Sequence, residues 1–270
     1  MKKILRTLGL VLTLLLVLAA CGNDDSGAED SSVVKVGVIG SDSVVWDHVA
    51  KKAAEEDIEL EVVYFDSYPL PNAALDAGEL DLNSFQHYIY LEKEVEQFGY
   101  ALEVIGETSY APLSIFSKQL SSLDEIEDGA QIVIPDDVTN GGRALLLLQD
   151  AGLISVDPEA GLTPTLKDID NPRNFDIVEL AAANIPASLG EAPIAVINSG
   201  IAIDAGLSPT NDALLMEDAS GGDNPYINVI VAQSDRADDE ILNRIVELYQ
   251  SEDTKEIIIK DSKGASIPVF

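Results

Sequence analysis

The chain has 270 residues, of which 48 are acidic and 16 basic, and its formal net charge is −32. This charge argues against nucleic acid as a partner, because a phosphate backbone would be repelled. A hydrophobic fraction of 46% is sufficient for a packed core, so extended disorder is excluded for most of the chain. The length suits one large domain or two of medium size.

The N-terminus has the features of a secretion signal. Basic residues at positions 2, 3 and 6 precede the apolar run 8–18, which is too short to span a bilayer as a mature helix. The sequence Leu18-Ala19-Ala20-Cys21 resembles a bacterial lipobox, which predicts a signal peptide over residues 1–20 and lipid attachment at Cys21. The alternative is an ordinary signal with an incidental cysteine. The polar, acidic residues 21–32 predict a flexible, lipid-anchored tether.

From Val33 onward, the hydrophobic pattern predicts two successive series of strands and helices. The first series has strands over 34–39, 59–65 and 80–85, helices over 44–56, 72–77 and 88–98, and extended segments over 100–110 and 112–117. The second series has strands over 132–134, 175–180 and 192–198, helices over 143–151 and 185–189, extended segments over 213–217 and 226–233, and an amphipathic closing helix around 241–249.

Two such series predict an α/β protein with two lobes and mostly parallel sheets. We expect the chain to cross between the lobes near 110–112 and to return near 223–226. Residues 33–110 and 225–270 then form lobe 1, and residues 111–224 form lobe 2. Ligands of open parallel sheets bind beyond the carboxyl ends of the strands. These strand ends would meet in a cleft between the lobes.

The segment 131–151 is the most informative for function. An apolar strand is followed by Thr139-Asn140-Gly141-Gly142 and then by Arg143 at the start of a predicted helix. Free amides at a helix N-terminus attract anions, and a guanidinium fits a carboxylate with two parallel hydrogen bonds. The segment therefore predicts a carboxylate-sized anion site. A capped helix whose Arg143 pairs with Asp136 or Asp137 is an equally good interpretation.

Catalytic and cofactor motifs are missing from the sequence. It contains no phosphate-binding loop, no dinucleotide-binding glycine motif and no nucleophile elbow. His48 and His87 are the only histidines, and neither has a second ligand at metal spacing. We therefore predict a protein that is not an enzyme and that uses no metal and no other cofactor.

Several longer motifs point to a known family. They are Asn83-Ser84-Phe85-Gln86-His87, the segment 139–148, Ala195-Val196-Ile197-Asn198, Pro225-Tyr226-Ile227-Asn228 and the C-terminal segment 266–270. From Val34 to the end, the chain resembles the NlpA family of methionine-binding lipoproteins of ABC importers. The resemblance implies a type II periplasmic-binding-protein fold, with two α/β lobes joined by two crossover segments. It also implies capture of L-methionine outside the membrane and delivery to an ABC permease and its ATPase.

The resemblance further implies ligand-binding residues. Arg143 holds the ligand carboxylate with help from Asn140. Asn198 and Asn228 bind the ammonium and carboxylate groups through their side chains. The remaining implied residues form the wall of the side-chain pocket, and they are Tyr68, Phe85, His87 and Tyr90. A thioether gains from contact with aromatic rings, so this set suits a zwitterion with a sulfur-containing tail.

Other functions stay open at this point. Gly200 stands where many family members have a larger residue, which leaves room for a methionine derivative, a methionine-containing dipeptide or another amino acid. A second alternative is a surface lipoprotein that acts in adhesion and has a vestigial cleft. The acidic composition favours the outer face of a Gram-positive cell over a periplasm.

Overall fold

The computed structural model describes residues 33–218 and 224–270. The predicted signal peptide, Cys21 and the predicted tether lie outside the described residues, as does part of the second predicted crossover. None of the helices in the described part of the chain is long and apolar enough to cross a membrane.

Thirteen strands are described. In chain order they are β1 (Val34–Ile39), β2 (Leu60–Phe65), β3 (Leu82–Asn83), β4 (Leu102–Tyr110), β5 (Ser114–Phe116), β6 (Gln131–Pro135), β7 (Ser155–Val156), β8 (Ile169–Asp170), β9 (Asp176–Leu180), β10 (Ile194–Ile197), β11 (Ala213–Met216), β12 (Ile227–Gln233) and β13 (Ile267–Pro268).

The strands form two main sheets and one small hairpin. The first sheet has the order β13-β4-β12-β3-β1-β2, and the second has the order β11-β5-β10-β6-β9. β1 pairs in parallel with β2 and β3, and β6 pairs in parallel with β9 and β10. The other pairings in both sheets are antiparallel. The α/β class is confirmed, but the sheets are mixed rather than mostly parallel.

Eight α-helices surround the sheets in the described residues. They are α1 (Val44–Ala54), α2 (Pro69–Asp76), α3 (Tyr88–Phe98), α4 (Val138–Asp150), α5 (Ile185–Ser188), α6 (Ser199–Asp204), α7 (Glu240–Tyr249) and α8 (Glu252–Asp261). Short 3₁₀ turns lie at Leu123–Glu125, Pro158–Ala160, Ala182–Asn184 and Ser234–Arg236.

Each sheet is packed on both faces. Trp46 and Val49 from α1 and Ile245 from α7 cover one face of the first sheet, and Leu75 and Leu91 belong to the cluster on its other face. The second sheet is likewise packed between two apolar clusters. Because a sheet covered on both faces must bury both sets of side chains, its central strands are apolar, and all four residues of β10 are buried.

The chain passes from the first sheet to the second between β4 and β5 and returns between β11 and β12. The first sheet thus takes its strands from residues 34–110 and 227–268, and the second from residues 114–216. The lobe boundaries drawn from the sequence stay a prediction. The bounds of β1 and α3 agree with the predicted elements, whereas α8 was not predicted.

Candidate ligand-binding cleft

One cleft brings together all the predicted ligand-binding residues. Its volume is about 270 Å³. This is close to the lower end of the range of about 300–1,000 Å³ that is typical of small-molecule sites. Asn140, Arg143 and Asn198 come from elements around the second sheet. The remaining five come from elements around the first sheet, and they are Tyr68, Phe85, His87, Tyr90 and Asn228.

The start of α4 differs from the prediction. The helix begins at Val138 rather than at Arg143, and its N-cap is Asp137. The Asp137 carboxylate accepts hydrogen bonds from the Asn140 backbone N–H at 2.9 Å and from the Thr139 hydroxyl at 3.0 Å. A carboxylate of the protein itself thus caps this end, and an anion site at the other helix amides stays a prediction.

Close packing explains the two glycines of α4. A Cβ at Gly141 would lie 2.8 Å from the Pro135 carbonyl oxygen, and a Cβ at Gly142 would lie 2.8 Å from Thr163 Cα. Both distances are too short for real Cβ atoms. The glycines let the helix pack closely against the end of β6 and a neighbouring loop. This close packing overrides the low helix propensity of glycine.

A chain of hydrogen bonds fixes the orientation of two amides in the cleft. Asp137 can only accept, so the Asn140 side-chain NH₂ faces it, at 3.0 and 3.1 Å from the two carboxylate oxygens. Asn140 Oδ1 in turn accepts from Asn198 Nδ2 at 2.8 Å. Asn198 Oδ1 is then left buried without a partner among the described residues. Asn198 thus presents an acceptor to the cleft.

His87 presents a donor. Its Nδ1 accepts from the backbone N–H of Tyr90 at 3.1 Å, which caps α3. Burial and the nearby charge of Arg143 lower the pKa of His87 to about 3, so the ring is neutral at neutral pH. A neutral imidazole whose Nδ1 accepts must carry its proton on Nε2. That buried Nε2–H has no hydrogen-bond partner in the described part of the chain.

Arg143 is held by Glu217, and not by Asp136 or Asp137. Its Nε donates to the two Glu217 carboxylate oxygens at 2.9 and 3.0 Å, and its Nη2 donates to the same carboxylate and to the Ala111 carbonyl. Burial alone would lower the pKa of Arg143, but the hydrogen bonds and charge of Glu217 raise it above its usual value. Arg143 is therefore a permanent cation, and its Nη1 group is the part that neither Glu217 nor Ala111 engages.

Two tyrosines complete the surroundings of Arg143. The guanidinium carbon lies 4.3 Å from the centre of the Tyr226 ring and 5.5 Å from that of Tyr110. Both distances are within the range of cation–π attraction. The Tyr110 hydroxyl also donates to Glu217 at 2.7 Å. These contacts fix the position of the guanidinium on several sides.

The aromatic wall of the cleft is formed by Tyr68, Phe85 and Tyr90. Ring centres are 6.1 Å apart for Tyr68 and Phe85, 6.1 Å for Tyr68 and Tyr90, and 5.7 Å for Phe85 and Tyr90. The Phe85–Tyr90 pair is edge-to-face, which is a favourable geometry for aromatic rings. Burial raises the pKa of both tyrosine hydroxyls above the usual range, so both stay neutral.

Behind this wall lies a fully buried cluster of three amides, formed by Asn72, Asn83 and Gln86. Asn72 Oδ1 accepts from Asn83 Nδ2 at 2.9 Å and from Gln86 Nε2 at 2.6 Å, and Asn72 Nδ2 donates to Gln86 Oε1 at 2.8 Å. The Gln86 carbonyl also accepts from Val229 N–H. Because Gln86 separates Phe85 from His87 in the chain, the cluster fixes the segment that carries both.

Sequence reasoning missed several residues around the cleft. Tyr226 lies within a matched motif but had no assigned role. Asp137 was considered only as a partner of Arg143. Nothing in the sequence marks Glu217, because it is one of 48 acidic residues and lies 74 positions from Arg143.

The sequence model of NlpA lipoproteins matches residues 34–270. A relative from Salmonella typhimurium, the D-methionine-binding lipoprotein MetQ, is 43% identical over 258 residues, which are 93% of each chain.

Solved structures of methionine-binding proteins are similar to this chain in sequence and fold. A nutrient-binding protein from Burkholderia cenocepacia bound to methionine is 41% identical, with a TM-score of 0.84 over 88% of this chain and 100% of that one. The substrate-binding protein of a methionine transporter from Streptococcus pneumoniae is 30% identical, with a TM-score of 0.83 over 88% of this chain and 96% of that one.

Proposed function

The chain belongs to the NlpA lipoprotein family, and from this premise we propose that it is a lipid-anchored, extracytoplasmic substrate-binding protein that captures methionine for an importer. The observation that supports this function most is the arrangement of the cleft. Arg143 and Asn198 line the cleft from the second sheet, and His87 and three aromatic rings line it from the first. A zwitterion with an apolar tail matches both sides.

The hydrogen-bonding groups of the cleft offer the donors and the acceptor that an amino acid requires. The Nη1 group of Arg143 and the Nε2–H of His87 are donors, which suit the ligand carboxylate. Asn198 Oδ1 is an acceptor, which suits the ligand ammonium. Asn228 lies beside His87 in an isolated antiparallel bridge and lines the same cleft, so it can complete the recognition of either group.

The aromatic wall suits the methionine side chain. A thioether sulfur near the edge of an aromatic ring gains about 0.3–1.5 kcal/mol, and the three rings here offer both faces and edges. A charged side chain would lose its hydration against these rings. The wall therefore favours an apolar, sulfur-containing tail.

The relatives leave the form of methionine to experiment. The Salmonella relative is named for D-methionine, and the Burkholderia structure holds methionine. Our sequence-based expectation is L-methionine, with a methionine-containing dipeptide or another amino acid as the alternative. Gly200 is exposed and lines the cleft, and a Cβ there would meet nothing within 4 Å, so the space for a longer ligand exists.

The captured ligand is delivered to an importer in the membrane. The partners are a permease and an ATPase of an ABC importer, and the anchor is a lipid on Cys21. Binding closes the two sheets on the ligand through the two connections between them, because each side of the cleft belongs to a different sheet. The protein has no catalytic role in this function, and the outer face of a Gram-positive cell is the favoured location.

A thermal-shift screen tests the substrate. It would use the twenty L-amino acids, D-methionine and methionine-containing dipeptides with the mature protein. A ligand present at 100 times its dissociation constant adds about 2.7 kcal/mol to the free energy of unfolding, which is a readily measured shift. We expect methionine to give the largest shift among the amino acids. No shift with any methionine compound would reject the proposal.

Mass spectrometry of the molecule that co-purifies with the protein is the second test. Recovery of a dipeptide or of another amino acid would move the assignment to that ligand within the same fold. An adhesion lipoprotein would show neither a thermal shift nor a co-purifying small molecule.

A further inference from the structure

The contact between Arg143 and Glu217 is a buried ion pair behind the cleft. The Arg143 side chain is 3% exposed and the Glu217 side chain 15%. Glu217 also accepts from the Tyr110 hydroxyl at 2.7 Å and from Leu113 N–H at 3.0 Å. Four separate donor groups thus converge on this carboxylate, which keeps it in place beside the guanidinium.

Glu217 does not belong to the residues that line the cleft, whereas Arg143 does. The carboxylate binds the Nε and Nη2 side of the guanidinium, and Nη1 donates to neither Glu217 nor Ala111, so it can bind a ligand. Glu217 therefore acts on a ligand through Arg143 and through its own charge, and not by direct contact.

The charge of Glu217 changes what the cleft attracts. Charges interact more strongly in a buried site than in water. An unpaired buried guanidinium would favour any anion with a carboxylate, with or without an ammonium group. With Glu217 beside it, the guanidinium contributes hydrogen bonds but little net attraction. The Asp137 carboxylate lies behind Asn140, and Asp42, Asp204 and Asp261 line the cleft itself. These carboxylates also favour a ligand cation.

We propose that Glu217 is a specificity-determining residue that makes the site require an ammonium group on its ligand, so that zwitterionic amino acids bind and simple carboxylate anions do not. The inference rests on the proposed function for its choice of ligand. Within that function, Glu217 works by balancing the charge of Arg143 and by positioning its free Nη1 group.

The test compares two ligands that differ only in the ammonium group. One is L-methionine, and the other is 2-hydroxy-4-(methylthio)butanoate, in which a hydroxyl replaces the ammonium. Isothermal titration calorimetry gives both dissociation constants for the wild-type protein and for Glu217→Gln. We expect the wild type to prefer methionine. In Glu217→Gln the preference should fall by at least about tenfold, equivalent to about 1.4 kcal/mol.

The matched control is Tyr110→Phe, which removes one hydrogen bond to Glu217 and leaves every charge in place. It can weaken both ligands, but their ratio should stay within about twofold of the wild-type value, or about 0.4 kcal/mol. A purely structural role of Glu217 would weaken both ligands equally in Glu217→Gln, and an unchanged ratio of this kind overturns the inference.

The other outcomes of the titrations distinguish failure of the proposed function from failure of the inference about Glu217. If the wild-type protein binds no methionine, both the proposed function and this inference are rejected. If the wild type binds methionine but the ratio does not change in Glu217→Gln, only the inference fails. Should Glu217→Gln not fold, Glu217→Ala is measured in its place. If neither variant folds, Glu217 is a structural residue and the inference is rejected.

Discussion

The two sides of the cleft are built by different means. On the side of the second sheet, charged groups orient the polar side chains: Glu217 holds Arg143, and Asp137 orients Asn140. On the side of the first sheet, ring contacts form the wall, and a neutral amide cluster lies behind it. In both cases buried groups fix the side chains that face the cleft, and of these groups only Gln86 also lines it. The charged side and His87 are expected to determine which head group binds, and the aromatic wall to determine which tail fits.

The largest expected effect is on the charged side. Replacing Arg143 by Ala removes the donor for the ligand carboxylate and leaves Glu217 without its cation. Truncating one partner of a buried, hydrogen-bonded charge pair costs about 2–5 kcal/mol, so methionine affinity should fall by about thirtyfold or more. Calorimetry measures the loss, and circular dichroism checks that the fold is retained.

The control for Arg143→Ala is Arg244→Ala. Arg244 pairs with Glu56 and Glu247, but its side chain is 43% exposed and it does not line the cleft. Its replacement should leave methionine affinity unchanged. Equal affinity of Arg143→Ala and the wild type would show that the ligand carboxylate binds elsewhere.

On the neutral side, the amide cluster should matter most for stability. Gln86→Met keeps the length of the side chain but leaves Asn72 and Asn83 with unsatisfied buried amides. Each unsatisfied group costs about 1–3 kcal/mol, so the free energy of unfolding should fall by about 3 kcal/mol. Urea unfolding measures this change.

The same substitution at Gln131 is the matched control, because that side chain makes its bond to Asp176 at the exposed surface. Surface substitutions usually change stability by no more than about 0.5 kcal/mol. A similar loss in both variants would mean that the amide cluster has no special role.

His87 lines the same cleft as Arg143. A comparison with His87→Gln separates its titration from that of the carboxylates. Its pKa is lowered to about 3 in the folded protein by burial and by Arg143. The unfolded chain, with an ordinary pKa of about 6.5, then binds more protons than the folded one between these values. The contribution of neutral His87 to the free energy of unfolding is thus complete above about pH 6.5 and is lost as the pH falls towards 3.

We therefore expect the stability of the wild type to fall between pH 7.5 and pH 5 by about 2 kcal/mol more than that of His87→Gln. Urea unfolding of both proteins at the two pH values gives this difference directly. Parallel pH dependence of the two proteins would contradict a neutral, buried His87.

The smallest expected effect concerns a single ring of the wall. Phe85→Leu keeps an apolar side chain but removes the ring, and the loss of a sulfur–aromatic contact is about 0.3–1.5 kcal/mol. Methionine affinity should fall about two- to tenfold, while the affinity for norleucine, which lacks the sulfur, should change less. Equal losses for both ligands would indicate a change of shape rather than of sulfur contact.

The sequence allowed most elements of the fold to be predicted, because their patterns are local. The strand Val34–Ile39 and the helix Tyr88–Phe98 are periodic segments with clear boundaries, and their bounds agree with the structure. The start of α4 could not be predicted in this way. Gly141 and Gly142 suggest a loop, and only the nearby Pro135 carbonyl and Thr163 explain why they lie in a helix.

The residues of the candidate site also divide into those that could be predicted and those that depend on distant contacts. The resemblance to a family supplied the residues that line the cleft, such as His87 and Asn198. The buried residues behind them had to come from the structure, because their partners are distant in the chain. Glu217 is informative only when its contact with Arg143 is known, and the role of Asp137 depends on the direction of the Asn140 amide.

The bonds of Arg143 have a mechanical consequence. The guanidinium donates to the Ala111 carbonyl in one connection between the sheets and to Glu217 in the other. The residue that meets the ligand is thereby attached to both stretches of chain about which the sheets can turn. Any swing of one sheet against the other must carry this cation along or break its bonds, so the pivot and the binding site cannot relax independently.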